Sequence, residues 1–410
     1  MREMLDKTGV SKLWAASKGL FVPKEAGKGL SENDFSDSYN GKIDGLTESY
    51  TFVVNSDEAL LAWANAEAGN DYTHVLIKSG TWNMSKPEGI NLTTAGTLTV
   101  TGEPGNKIVN IATFDGTVYG LTADAIAYTD MHITGVHMHV EQHWTSTTVV
   151  VKREVCCFAN LRNLTDCYAT GNTKYLVSGS NYVHGFKNCE QLSNCTSAAL
   201  EASLTGNAFF AGFTDCKVLA SCYVYANINF FGLYGFYNCE QVSACYAYLS
   251  AGNANHVMGF TSCTNVCASA AYLRASSTAT GMYQCKCVDS CTIDAAATTA
   301  RAYDACGYLN TCTAYINGGS NCVCYRNCAN VIACHAEPYQ FNGGSLLCFN
   351  SCTGVLCCYA TYTHYNSTGS NNGWFSGSCA CQDTYDATYA CANTPEGGWN
   401  YHTENTYGTT

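Results

Sequence analysis

The stretch GFYNCEQVSACYAYL, Gly235–Leu249, is one copy of a unit that recurs along the chain. Aligned on its first cysteine, it matches GFKNCEQLSNC from Gly185, GFTDCKVLASC from Gly212, GFTSCTNVCAS from Gly259 and GMYQCKCVDSC from Gly281. AYDACGYLNTC, CYRNCANVIAC and CFNSCTGVLCC follow; CFANLRNLTDC precedes them with Leu161 in the first cysteine position, and GSCACQD around Cys379 is a degenerate last copy. The first positions are Leu161, Cys189, Cys216, Cys239, Cys263, Cys285, Cys306, Cys328 and Cys352, so successive spacings are 28, 27, 23, 24, 22, 21, 22 and 24 residues. A unit this short cannot bury a core alone. Repeated, it predicts a solenoid in which each unit is covered by its neighbours.

Within a unit, Phe236, Cys239, Val242 and Cys245 fall at every third position, which suits neither a continuous strand nor an α-helix. Short strands separated by one-residue corners explain the spacing. The residue before a cysteine is typically Asn188, Asn194, Asp215, Ser221, Asn238, Ser262, Ser290, Asn327 or Ser351. Asn and Asp tolerate the left-handed backbone that a sharp corner needs, and all three types bond their own backbone at turns. After the second cysteine the period becomes two, with Cys245, Ala247 and Leu249 facing one way and Tyr246 and Tyr248 the other. Three short strands per unit make one coil of a parallel β-helix, and equivalent positions stack about 4.8 Å apart. The cysteine, valine and aromatic positions then become columns lining a narrow interior.

Composition supports this and narrows the partners. The chain has 27 cysteines in 410 residues, an odd count, and most occupy repeat positions. Disulfide scaffolds are short secreted chains, so the expectation is reduced thiols acting as small buried hydrophobes. The CxC pairs at Cys285, Cys322 and Cys379 lack the consistent partners a structural zinc site needs. A formal charge of −12 argues against nucleic acid and anionic lipid as partners. No apolar run reaches transmembrane length, and no signal-peptide core stands at the N-terminus, so no membrane partner is expected.

Upstream, SDEALLAWANAEAG from Ser56 begins with an N-cap residue followed by acids and apolar positions at helical spacing. Such a helix would cover the open end of the first coil. THVLIKSGTW and GTLTVTGEPGNKIVNI alternate like strands between glycine-rich turns. Together these segments resemble the start of the pectate-lyase-like right-handed β-helix superfamily, and the resemblance spans residues 50–390 in architecture without carrying an activity. The first residues differ: KGLSENDFSDSYNGKIDGL is similar to N-terminal segments of tail-fibre and related structural proteins from phages of Gram-positive and gut bacteria. That resemblance implies a virion-attached, homotrimeric appendage released by lysis, joined to the tail or baseplate through residues 1–48.

Candidate sites are few. HMHVEQH places His137, His139, Glu141 and His143 on one strand face. Imidazole suits transition metals, but one strand offers too few ligands, and a polar face without metal is the expectation for His137 and His139. A polysaccharide-cleaving site needs neighbouring carboxylates. The acids of the repeats are sparse, and Asp294 and Glu337 share a column with Tyr315 between them, about 10 Å apart. Neither a catalytic residue nor a cofactor is assigned. The outward positions after the second cysteine hold Tyr168, Tyr223, Tyr225, Tyr246, Tyr248, Tyr272, Tyr315 and Tyr359. Aligned by stacking, they would form an aromatic strip, open to three readings: subunit interface, ligand face or plain strand packing. Trp374 and Trp399 lie in Gly/Asn-rich segments near the C-terminal end, where loops on a rigid rod recognise partners.

The sequence therefore predicts an all-β chain: a right-handed parallel β-helix with a capping helix. Residues 1–48 are the attachment segment, 49–155 the start of the helix, 156–391 the cysteine-rich repeats and 392–410 a tail. The functional expectation is a virion structural protein that binds a host surface glycan through Trp374, Trp399, Tyr225, Tyr248 and Tyr272. The alternative is a β-helix polysaccharide-degrading enzyme.

Overall fold

A computed structural model describes residues 50–386, apart from 67–71, 93–96, 124–129, 144–152, 175–180, 200–207, 230, 253–255, 342–344, 361–371, 377–380 and 383–384. The expected attachment segment and tail lie outside the described residues.

Each repeat bends into three strands, as in Gly232–Tyr237, Gln241–Ser243 and Tyr246–Ala251. Each pairs in parallel with its counterpart one coil away, so the chain is a parallel β-solenoid of about 11 turns. The middle strands build a 14-stranded sheet, and the other two strands of every coil share a 23-stranded sheet. That sheet turns a corner within single strands where the coil is shortest, as in Thr292–Asp304. The predicted cap is present. Helix α1, Asp57–Ala64, has Ser56 at its N-cap accepting from the Ala59 amide, with Asp57 and Glu58 in its first turn. It buries Leu60, Trp63 and Ala64 over the first coil.

Every corner residue read from the sequence adopts left-handed backbone. Asn188, Asp215, Asn238, Ser262, Asn327 and Ser351 at the first corner, and Asn194, Ser221 and Ser290 at the second, have φ between 51° and 55°. Ala244, Ala268, Gln284, Ala305, Thr311 and Ala333 adopt it too, without the side-chain preference that made the others legible. Left-handed backbone costs such residues roughly 1–2 kcal/mol each. The backbone ladder imposes it: the Ala244 amide donates to Cys267 O at 3.1 Å, so the corner must follow its neighbour in register.

Inside, Phe158, Phe186, Phe213, Phe236 and Phe260 stack with centroids 4.8–5.0 Å apart and planes within 4–6°, and Tyr303, Tyr325 and Phe349 continue the column. The two buried tyrosines bring hydroxyls into the core and satisfy them on backbone: Tyr303 donates to Cys291 O at 2.8 Å and Tyr325 to Cys312 O at 2.7 Å. The 24 cysteines whose side chains are described are all free thiols, and among them only Cys267, Cys287 and Cys357 are exposed. A column thiol sits at a corner beside two carbonyls: Cys239 Sγ is 3.5 Å from Tyr237 O and 3.7 Å from Phe213 O, one coil back. Ser269 takes the second-cysteine position in its own coil, donating to Cys267 O at 2.8 Å, which is why Cys267 falls outside the column. The last degenerate copy is set by register, which pairs Cys381 with Val355 in the middle column.

A further inner column is glycine. A Cβ added to Gly185, Gly212, Gly235, Gly259 or Gly281 would come within 1.9–2.8 Å of the residue twelve positions later: Ser197, Val224, Ala247, Ala271 or Ile293. The strand before the first corner and the strand after the second thus pack face to face with no room for a side chain on one of them. Where the column changes to Ala302, Cys324 and Cys348, the same offset reaches Ala314, Ala336 and Ala360.

Candidate functional site: an aromatic face of the solenoid

The outward positions after the second corner form two parallel columns. Register aligns His137, Tyr168, Thr196, Tyr223, Tyr246 and Ala270 in one, and His139, Thr170, Ala198, Tyr225, Tyr248, Tyr272, Asp294, Tyr315 and Glu337 in the other. The aromatic strip is therefore a compact patch of five tyrosines on three coils, with Tyr168 and Tyr315 standing apart from it. Tyr223 stacks on Tyr246 at 5.5 Å, and Tyr225, Tyr248 and Tyr272 form a continuous stack at 5.3 and 5.1 Å with planes within 13°. Ring faces inside such a ladder are taken up by neighbouring rings, so the patch presents edges and hydroxyls outward. Burial raises the pKa of the Tyr223 and Tyr246 phenols, which keeps them as donors.

The patch ends in a charged fork. The Arg274 guanidinium lies 3.6 Å over the Tyr272 ring and grips Asp294 with both terminal nitrogens, at 2.9 and 3.0 Å. Asp294 and Glu337 do share a column, with Tyr315 between them, as the sequence spacing requires. Asp294 is committed to Arg274, and Glu337 has His335 Nε2 at 4.0 Å, so neither carboxylate faces the other across an open site.

His137 and His139 do lie on one strand face, separated by buried Met138. His137 meets the Tyr168 ring edge-on at 4.7 Å, while His139 Nδ1 bonds Thr170 Oγ1 at 2.8 Å. Burial, with the charges of Lys107 and His139, lowers the His137 pKa to about 4. No group of three or more metal-ligating side chains occurs among the described residues. Burial pushes the Cys291 thiol up to about 12 and the Cys322 thiol up to about 11, which makes these two poor nucleophiles.

A second outward cluster lies outside the repeat motif. On the strand before the first corner, Tyr182 stacks on Phe209 at 5.2 Å, Phe231 meets Phe209 edge-on at 5.4 Å, and Tyr234 lies 6.4 Å from Phe209. Gly232 leaves space for this: a Cβ there would fall 2.7 Å from Phe209 Cδ1. The signal was present as Tyr182, Phe209 and Tyr234, but these positions sit outside the cysteine-to-cysteine motif. Trp374 lies in the strand Asn372–Ser376, whose side chains are outside the described residues, and so is Trp399.

No protein-family model and no curated protein matches the chain. Among solved structures it is similar to the crystal structure of tailspike protein 3 of bacteriophage CBA120, at 8% identity and a TM-score of 0.28, over 84% of this chain and 62% of that one. The match thus spans less than two thirds of the tailspike's length. Among the described residues no helix is long and apolar enough to cross a membrane.

Proposed function

We propose that this chain is the β-helical shaft of a phage tail-spike-like virion protein that binds a host surface glycan along its side. The observation that carries the reading is the five-tyrosine patch closed by the Arg274–Asp294 fork. It combines apolar ring edges with phenol, guanidinium and carboxylate groups fixed on a rigid sheet, which is what orienting a polyhydroxylated ligand requires. Virion attachment through residues 1–48 rests on the resemblance of KGLSENDFSDSYNGKIDGL to phage structural proteins. A homotrimer fits the same resemblance, and Trp374 and Trp399 remain proposed contacts nearer the C-terminal end.

The test is binding of fluorescently labelled protein to a panel of Gram-positive and gut bacteria, with mass in solution measured alongside. Tyr225→Ser, Tyr248→Ser and Tyr272→Ser combined should weaken binding roughly tenfold or more, as loss of interface anchors does, with the trimer mass retained. Dissociation of the triple variant would reassign the patch to a subunit interface. Release of reducing sugars or unsaturated products from bacterial polysaccharide would assign the protein to the polysaccharide-degrading class instead.

A further inference from the structure

We infer that the same face holds a discrete slot for one pyranose ring of a neutral sugar, walled by Tyr168 and Tyr223 and floored by Thr196. The inference rests on the glycan-binding reading and specifies where a sugar ring sits. Register places Thr196 directly between the two tyrosines in one column. Everywhere else in the patch, stacked rings are one coil apart and fill each other's faces. Here two coil rises separate the rings, about 9.6 Å.

Each wall is engaged on its far side: Tyr168 meets the His137 ring at 4.7 Å, and Tyr223 stacks on Tyr246 at 5.5 Å. No ring contact joins either to a partner over Thr196 among the described residues. Carbon–carbon contacts of ~3.5–4.0 Å on both sides use about 7–8 Å of the gap. What remains suits a puckered saturated ring and leaves a planar base loose. In the adjacent column Ala198 is buried, at 2% exposed.

The opposite side is polar. The second corner carries Asp166, Asn194 and Ser221 in successive coils, all exposed and all at left-handed φ, with Asn194 Nδ2 bonded to Asp166 Oδ1. A carboxylate, an amide and a hydroxyl beside two ring walls supply acceptors and donors for sugar hydroxyls. The Asp166 charge disfavours an acidic sugar.

The test uses the full chain and saturation-transfer NMR with the methyl glycosides of glucose, galactose, mannose and N-acetylglucosamine, and methyl glucuronide as the acidic control. Wild type should receive transfer from at least one neutral glycoside. Thr196→Tyr completes the ring ladder and fills the slot; it should weaken that binding tenfold or more while its melting midpoint stays at or above wild type. Tyr168→Ala should weaken it similarly, and Tyr308→Ser, an exposed tyrosine on the other sheet, should leave it within twofold. Unchanged transfer in Thr196→Tyr, or no transfer to wild type from any neutral glycoside, overturns the slot. If Thr196→Tyr binds bacteria as wild type does while the triple tyrosine variant does not, the slot fails and the glycan-binding reading survives. If wild type binds no bacterium in the panel, that wider reading fails.

Discussion

Gly281→Ala tests how tightly the coil interior is closed. An alanine Cβ there would lie 2.2 Å from Ile293 Cγ2, 2.8 Å from Ile293 Cγ1 and 2.5 Å from Ala302 O. Contacts that short force Ile293 off its rotamer and the coils apart, and overpacking of this kind costs about 1–3 kcal/mol. Ile293→Ala removes both methyl-bearing branches; burial of Ile293 is complete, so that variant alone should cost about 2–5 kcal/mol. Combined, the two should cost less than their sum by about 1 kcal/mol, within the usual range for contacting residues. Compensation is partial because the Ala302 carbonyl remains close. Gly252→Ala is the control: among the described residues its Cβ would meet Asn229 Oδ1 at 3.3 Å, and it should shift stability by no more than about 0.5 kcal/mol. Urea unfolding with an unchanged slope gives the comparison; a changed slope would signal coils melting separately. Strict additivity of Gly281→Ala and Ile293→Ala would refute the steric account of the glycine column.

Other outcomes follow from the core. Alkylation of the native protein without reductant should label Cys267, Cys287 and Cys357 first among the described cysteines, and denaturation should expose the rest; slow labelling after denaturation would show bridges instead. Burial raises the pKa of Tyr303 and Tyr325 well above 10.0, with neighbouring thiols adding to it. Their raised folded values mean that the stability they contribute is complete below pH 10 and lost as pH rises beyond it. Absorbance at the phenolate band should show these two titrating only with unfolding, and early ionisation of every tyrosine would contradict their burial. Tyr325→Phe removes a hydroxyl whose two carbonyl partners keep their ladder bonds, so it should cost only about 0.5–1.5 kcal/mol by thermal or urea melting. A loss above 3 kcal/mol would mean the hydroxyl holds the corner in place.

The sequence made the coil legible because the corner chemistry and the inward cysteines repeat at nearly fixed spacing. Asn238–Cys239 and Ser221–Cys222 even mark where the strands turn. Other features depend on relations between strands that spacing alone does not show. The glycine column is a twelve-residue relation across the interior, visible only once Gly235 is known to face Ala247. The tyrosines were correctly placed outward, yet which rings stack, and so occupy one another's faces, follows from register, with Thr196 and Ala270 bounding the Tyr223–Tyr246 pair. Gln284, Ala305 and Thr311 hid their corners because the ladder, not their side chains, sets their backbone.

The hydrogen bonds that join coil to coil, such as Tyr246 N to Cys222 O, Ala270 N to Cys245 O and Thr292 N to Ser269 O, all run along the rod axis. Load along the shaft is therefore not shared across the sheets as shear. Compression pushes stacked rings and thiols together and meets close-packed side chains. Tension opens one ring of bonds at a time, like a spring losing turns. A coil of 21–24 residues pulled free would lengthen the chain by roughly 70–85 Å, at 3.3–3.6 Å per residue. A shaft built this way suits a part that pushes against a surface better than one that hangs from it.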